Sequence, residues 1–116
     1  MKPYTIILKF KNFTLNAELF DNDIAGKFAA ELPYKVKLIQ WGKELYGSIG
    51  INLGAENPGP EIPAGGIAYT NRGNYVCIFF GQDPAWQVEY IGQIKGDEWK
   101  RLLSADGLDE VVIECA

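Results

Sequence analysis

The sequence predicts a mostly-β protein: a closed barrel of about eight short strands, with one α-helix after the second strand and a short helical turn near the C-terminus. Three observations carry this. Apolar and polar residues alternate with period two in many short runs. Only one segment switches to a four-residue repeat. The runs are separated by clusters of Gly, Pro, Asn and Asp, which punctuate antiparallel strands. Closing such strands into a barrel also removes the sheet edges that invite aggregation.

The first run places Tyr4, Ile6, Leu8 and Phe10 on one face and Thr5, Ile7 and Lys9 on the other. Lys11-Asn12 interrupts it, and Phe13, Leu15, Ala17 and Leu19 begin a second alternation, so the pair reads as a hairpin. Asp21-Asn22-Asp23 then supplies helix N-caps rather than a divalent-ion loop, which would need more ligands at set spacing. Ile24, Phe28 and Leu32 share one face of the helix, Gly26 weakens it, and Pro33 marks its stop.

Tyr34 to Trp41 returns to strand, Gly42-Lys43 is a turn, and Glu44 to Ile51 is the next strand. Gly47 and Gly50 inside it mark the bends that a small closed barrel requires. Asn52 to Gly66 holds three prolines and four glycines, the one long irregular stretch. Loops of that length in small domains are often functional.

Ile67–Thr70 and Tyr75–Phe80 form a hairpin around Asn71-Arg72-Gly73-Asn74. Cys77 to Phe80 is apolar without alternation, as expected of a strand covered on both faces. Gly81 to Gln87 is a loop around Pro84, and Val88 to Ile94 is a strand. Asp97 can cap a helical turn carrying Trp99, Leu102 and Leu103; Asp106, Asp109 and Glu110 read as a solvated turn. Leu108 to Cys115 closes the chain with Val111, Ile113 and Cys115 on one face.

Composition narrows the function classes. At 116 residues the chain suits one domain, spanning 1–116, that can bury its own core. A net charge of −4, with Lys9, Lys11, Lys35 and Lys37 spread along strand faces, argues against nucleic acid as a partner. No run of about 18 apolar residues suggests a membrane span. Lys9 and Lys11 break the apolar start that a secretory signal would need, so the expectation is cytoplasmic. The sequon Asn12-Phe13-Thr14 is then a chance match. The two cysteines, Cys77 and Cys115, each sit in an apolar run and read as small buried hydrophobes.

The chain contains no His, which removes Ser-His-Asp and Cys-His catalysis and His-based zinc sites. No phosphate-cradling glycine loop is present. The expectation is therefore no metal and no cofactor. Cys77 as a nucleophile would need a nearby cation or helix N-terminus to lower its pKa, which its apolar run does not suggest.

Trp41-Gly42-Lys43-Glu44-Leu45-Tyr46, Ile67-Ala68-Tyr69, Gly73-Asn74, Cys77-Ile78-Phe79-Phe80-Gly81 and Pro84 together carry a resemblance. Over about Leu15 to Ile94 the chain resembles the small cyclophilin-like proteins of bacteria and archaea, a group known from structural genomics without a settled activity. The resemblance implies a cyclophilin-like closed barrel. It does not imply prolyl isomerisation. True cyclophilins use an Arg, a Phe-Met-x-Gln pattern and a His. Here the only arginines are Arg72, in a hairpin turn, and Arg101, on the late helical turn.

What remains is an aromatic cluster with one acid. Trp41, Glu44, Tyr46, Tyr69, Phe80, Gly81, Pro84 and Trp86 are the candidate ligand-binding residues, with Trp41 and Trp86 the better platforms and Phe79 assigned to core. Glu44 reads equally as a solvated strand-start carboxylate or as an acid, base or ligand anchor. The first functional expectation is a groove that takes a peptide or small molecule without isomerase activity. Alternatives are a weak prolyl isomerase, a carboxylate-dependent enzyme, and a structural subunit whose aromatic face is buried in a homodimer.

Overall fold

A computed structural model describes residues 4–116. Nine antiparallel strands form one sheet: β1 (Tyr4–Lys9), β2 (Thr14–Leu19), β3 (Tyr34–Lys37), β4 (Ile39–Trp41), β5 (Glu44–Ser48), β6 (Gly66–Thr70), β7 (Tyr75–Phe79), β8 (Glu89–Ile94) and β9 (Glu110–Cys115). Their order is β3-β9-β1-β2-β8-β6-β7-β5-β4. The barrel is the expected one, with nine strands in place of about eight.

The extra strand comes from a break inside Tyr34–Trp41. Leu38 turns inward at the break, and its N–H donates to the Asp109 carbonyl at 2.8 Å. Before it, β3 pairs with β9; after it, β4 pairs with β5. One bent stretch of chain therefore belongs to both ends of the sheet, and the barrel closes through it. At this seam β5 passes close to β3. A Cβ on Gly47 would lie 2.1 Å from the Lys37 carbonyl oxygen and 2.6 Å from a Val36 methyl. Only glycine fits there.

The hairpin of β1 and β2 has the anticipated alternation: Ile6, Leu8, Leu15, Ala17 and Leu19 are all fully buried. The helix α1 (Asp23–Ala30) starts where Asn22 accepts a hydrogen bond from the Ala25 N–H at 2.9 Å. Its Ile24, Ala25 and Phe28 join the barrel core, and Phe28 meets Tyr34 at 4.5 Å between ring centroids. Leu32 lies beyond the helix and only partly buried, because α1 ends at Ala30.

The strand β7 is apolar throughout because both its faces are covered. Val76 and Ile78 face the barrel core, while Cys77 and Phe79 belong to a second, outer cluster with Ile62, Ala68 and Val88. In β8, Ile91 is an extra residue opposite β6, so that Ile91 and Ile94 both reach the core. The expected late helical turn is a 3₁₀ turn over Glu98–Leu103; its Leu102 is buried and its Leu103 exposed.

Two expectations are corrected. Cys115 is exposed, because it ends β9 at the rim of the barrel; Cys77 is buried, and both thiols are free. The strand expected over Glu44 to Ile51 stops at Ser48, where the chain leaves the sheet for the long loop. That loop is held at several points. The Leu53 N–H donates to the Tyr69 hydroxyl at 2.8 Å. The Glu56 and Asn57 amides donate to Glu89 at 3.0–3.2 Å. Gly59 and Val88 exchange backbone bonds of 2.9 and 3.0 Å. No helix among the described residues is long and apolar enough to cross a membrane.

Two glycine substitutions separate the seam from ordinary backbone. Gly47→Ala forces β3 and β5 apart and is expected to cost about 2–3 kcal/mol, the upper range for overpacking. Gly26→Ala, in α1 with open space around it, is expected to stabilise by about 0.5–1 kcal/mol. Denaturant melts of both variants check the pair.

Candidate ligand-binding site

The barrel's outer face over β5, β7 and β6 is where the chemistry collects. Strand parity aims Glu44 and Tyr46 outward from β5, while Leu45 between them goes to the core. Cross-strand pairing sets Glu44 opposite Phe79 and Tyr46 opposite Cys77. Thr70 of β6, opposite Tyr75, completes the floor.

Residues 81–88 arch over this floor and are tied down at both ends. The Gln82 side-chain carbonyl accepts from the Lys43 N–H at 2.6 Å, and its amide donates to the Trp41 carbonyl at 3.1 Å. At the far end, the Val88–Gly59 bridge fixes the chain, and the Trp86 indole N–H donates to the Thr70 hydroxyl at 3.3 Å. Between arch and floor lies a cavity of about 290 Å³.

Trp41, Glu44, Tyr46, Pro84 and Trp86 line it. The structure brings these five of the eight candidates together. Tyr69 and Phe80 are elsewhere: both face the barrel core, since they share the parity of Ile67 and Ile78. Gly81 sits in the turn under the Lys43 side chain, outside the lining. The cavity also uses Thr70, Tyr75, Cys77, Ala85 and Val88, which are not among the residues the sequence singles out for the site. Tyr75 and Cys77 alternate with the core residues Val76 and Ile78, so parity alone could have found them once the inward residues of β7 were known.

The walls are mainly aromatic. Trp41 and Trp86 are 54% and 40% exposed, and Tyr46 meets Tyr75 edge-on at 5.2 Å. The acid is unusual. Glu44 is only 8% exposed, and burial raises its pKa above the ordinary 4.5, partly opposed by a hydrogen bond from the Cys77 thiol. Among the described residues no Lys or Arg forms an ion pair with it. Burial, and then the neighbouring Glu44 carboxyl, push the Cys77 thiol strongly upward. This disfavours the thiolate, which is the reactive form of a cysteine nucleophile. The arrangement is a mainly aromatic slot with one buried carboxyl at its base.

The comparisons with known proteins agree with this architecture. The profile of the Cyclophilin-like family matches residues 4–114. The chain belongs to that family. The solution structure of a hypothetical protein from Archaeoglobus fulgidus shares the fold with a TM-score of 0.80 at 27% identity, over 98% of this chain and 95% of that one. McbB, solved in complex with tryptophan, matches with a TM-score of 0.75 at 14% identity, over 95% of this chain and 44% of McbB. No curated protein matches the sequence at a significant level.

The buried acid has a pH signature. A carboxyl whose folded pKa lies above its unfolded value favours folding below the unfolded value, and that contribution is lost as pH rises through the folded value. Glu44→Gln cannot lose it. The melting temperature of the wild type is therefore expected to fall relative to Glu44→Gln as pH rises from about 4.5, and the difference to level off once Glu44 is ionised. Parallel thermal melts from pH 4 to 8 check this; a difference that does not change with pH contradicts the assignment.

Proposed function

We propose that this cyclophilin-like domain binds a small organic amine in the cavity between Trp41 and Trp86, with Glu44 as the anchor. The observation that carries the reading is a buried carboxyl at the floor of an aromatic slot, without a cationic partner among the described residues. Removing a carboxylate from water is unfavourable unless a charge or several hydrogen bonds compensate it. A ligand ammonium supplies both. The faces of Trp41 and Trp86 add cation–π attraction and apolar contact, of the order of 1–2 kcal/mol for each well-placed ring. The cavity volume, about 290 Å³, is at the small end of ligand pockets and suits one ring with a short side chain. McbB's bound tryptophan is a ligand of that general chemistry.

A second reading, carboxylate-dependent catalysis, is favoured by the raised pKa of Glu44. A carboxyl whose pKa is raised by burial is better suited than an ordinary one to act as a general acid and then as a base. Prolyl isomerisation has no comparable support: Arg101 lies over the Phe13 ring, away from the cavity, and Arg72 is not among its lining residues.

Tryptamine is the direct probe, followed by calorimetry or quenching of Trp fluorescence. Binding is expected to weaken at least tenfold in Glu44→Gln and in Trp86→Ala, and to weaken in the wild type as pH falls and Glu44 takes up its proton. Equal affinity in wild type and Glu44→Gln would remove the acid from the site.

A further inference from the structure

The slot does not end at Trp86. A second concavity, of about 510 Å³, opens beside it, and the two share Thr70, Trp86 and Val88. Arg72, at the tip of the β6–β7 hairpin, lines this second space, and its guanidinium lies 4.7 Å from the centre of the Trp86 ring. Arg72 is exposed and makes no ion pair with any described residue. The one acid that also lines the second concavity is Glu89, which already accepts three hydrogen bonds from the amides of Glu56 and Asn57. Its charge is thus spread over the backbone of the long loop. The groove therefore has opposite ends: an acid without a cation at one, and a guanidinium without an anion at the other.

The separation of the ends follows from the ladder. Glu44 stands opposite Phe79, and Thr70 opposite Tyr75. Four residue steps of β7 separate these levels, about 13 Å of strand, and β5 and β6 flank β7 on opposite sides, which adds about two inter-strand spacings of ~4.8 Å across the sheet. Glu44 and Arg72 each line their own concavity, so a ligand that touches both must be longer than a single amino acid. An extended tripeptide spans about 10 Å.

We propose that the full ligand is bipolar and peptide-sized, with an ammonium on Glu44, an apolar middle against Trp86 and a carboxylate on Arg72. This rests on the amine-binding reading of the first cavity and extends it. Arg suits the role because its planar fork binds a carboxylate through two parallel hydrogen bonds. Stacking on Trp86 holds the guanidinium in place before the ligand arrives, which reduces the entropy lost on binding.

The test uses the tripeptide Ala-Phe-Ala with both termini free, the same peptide as its C-terminal amide, and tryptamine. Each is titrated into wild type and Arg72→Gln. Arg72 is exposed in a turn, so the variant is expected to fold, and a thermal melt verifies it. In the wild type, amidation is expected to weaken the tripeptide about tenfold, the size of one charge-assisted contact. In Arg72→Gln the acid and the amide should bind alike, and tryptamine should bind as it does to the wild type. An amide as tight as the acid in the wild type overturns the proposal, as does an equal penalty in both proteins, or no saturable binding of the tripeptide at millimolar concentration. Tryptamine binding that depends on Glu44 then shows that only the extension has failed; loss of tryptamine binding too removes both readings.

Discussion

The contact between Gly47 and the Lys37 carbonyl is the constraint on which the rest of the barrel depends. A small barrel must bring its first and last strands together, and here a single bent stretch, Tyr34 to Trp41, serves both edges. The bend works only if β5 can press against β3, and any side chain at position 47 would meet backbone at 2.1 Å. Backbone cannot move aside as a flexible side chain can. Once that approach is made, the β4–β5 turn has one possible direction. Trp41 and Glu44 follow from it, placed opposite each other across the turn on the outer face.

The candidate site is thus built on paired strands of the barrel wall. Its floor is β5 and β7, whose other face is the barrel core, so the outward side chains inherit the rigidity of the inward ones. Leu45, Val76 and Ile78 are fully buried on one side; Glu44, Cys77 and Tyr75 face the cavity on the other. The roof is irregular chain, but Gln82, Trp86 and Val88 each hold it by hydrogen bonds to the floor or to the neighbouring loop. A preformed pocket needs little reorganisation to take up a ligand.

Much of the fold was legible because barrels write themselves as alternation. The β1–β2 hairpin, the Asn22 cap and the two-sided burial of β7 were all readable from residue type and period. The site was less so, for a definite reason. Period-two alternation says which residues share a face but not which face is inside. Tyr69 and Phe80 look as suitable for a groove as Tyr46 does. They point inward because they share the parity of Ile67 and Ile78, and only the closed barrel shows which parity faces the core. The break at Leu38 was hidden for a similar reason: Val36 and Leu38 alternate without interruption, and only the partner strand changes. The exposure of Cys115 reflects where the barrel ends, which periodicity does not record.

The long loop, expected to carry function because of its length, is held to the barrel by buried side chains and lines the second concavity through Ala55 and Pro58. Two carboxylates among the described residues are buried to a similar degree, Glu89 at 6% and Glu44 at 8%. Glu89 accepts three backbone hydrogen bonds from the loop, so its burial is compensated and its work is to hold the loop against β8. The Tyr69 hydroxyl does the same at the loop's start, taking the Leu53 N–H while standing 3.0 Å from both the Ile51 carbonyl and the Asn74 side-chain oxygen. Glu44 has no such backbone donors. Its hydrogen-bond partner is a weakly polar thiol, whose S–H is a poor substitute for an amide. Buried to the same depth, one acid is held by backbone amides and the other by a single weak donor. That difference in partners, rather than burial or position in the chain, separates the structural carboxylate from the one available to a ligand.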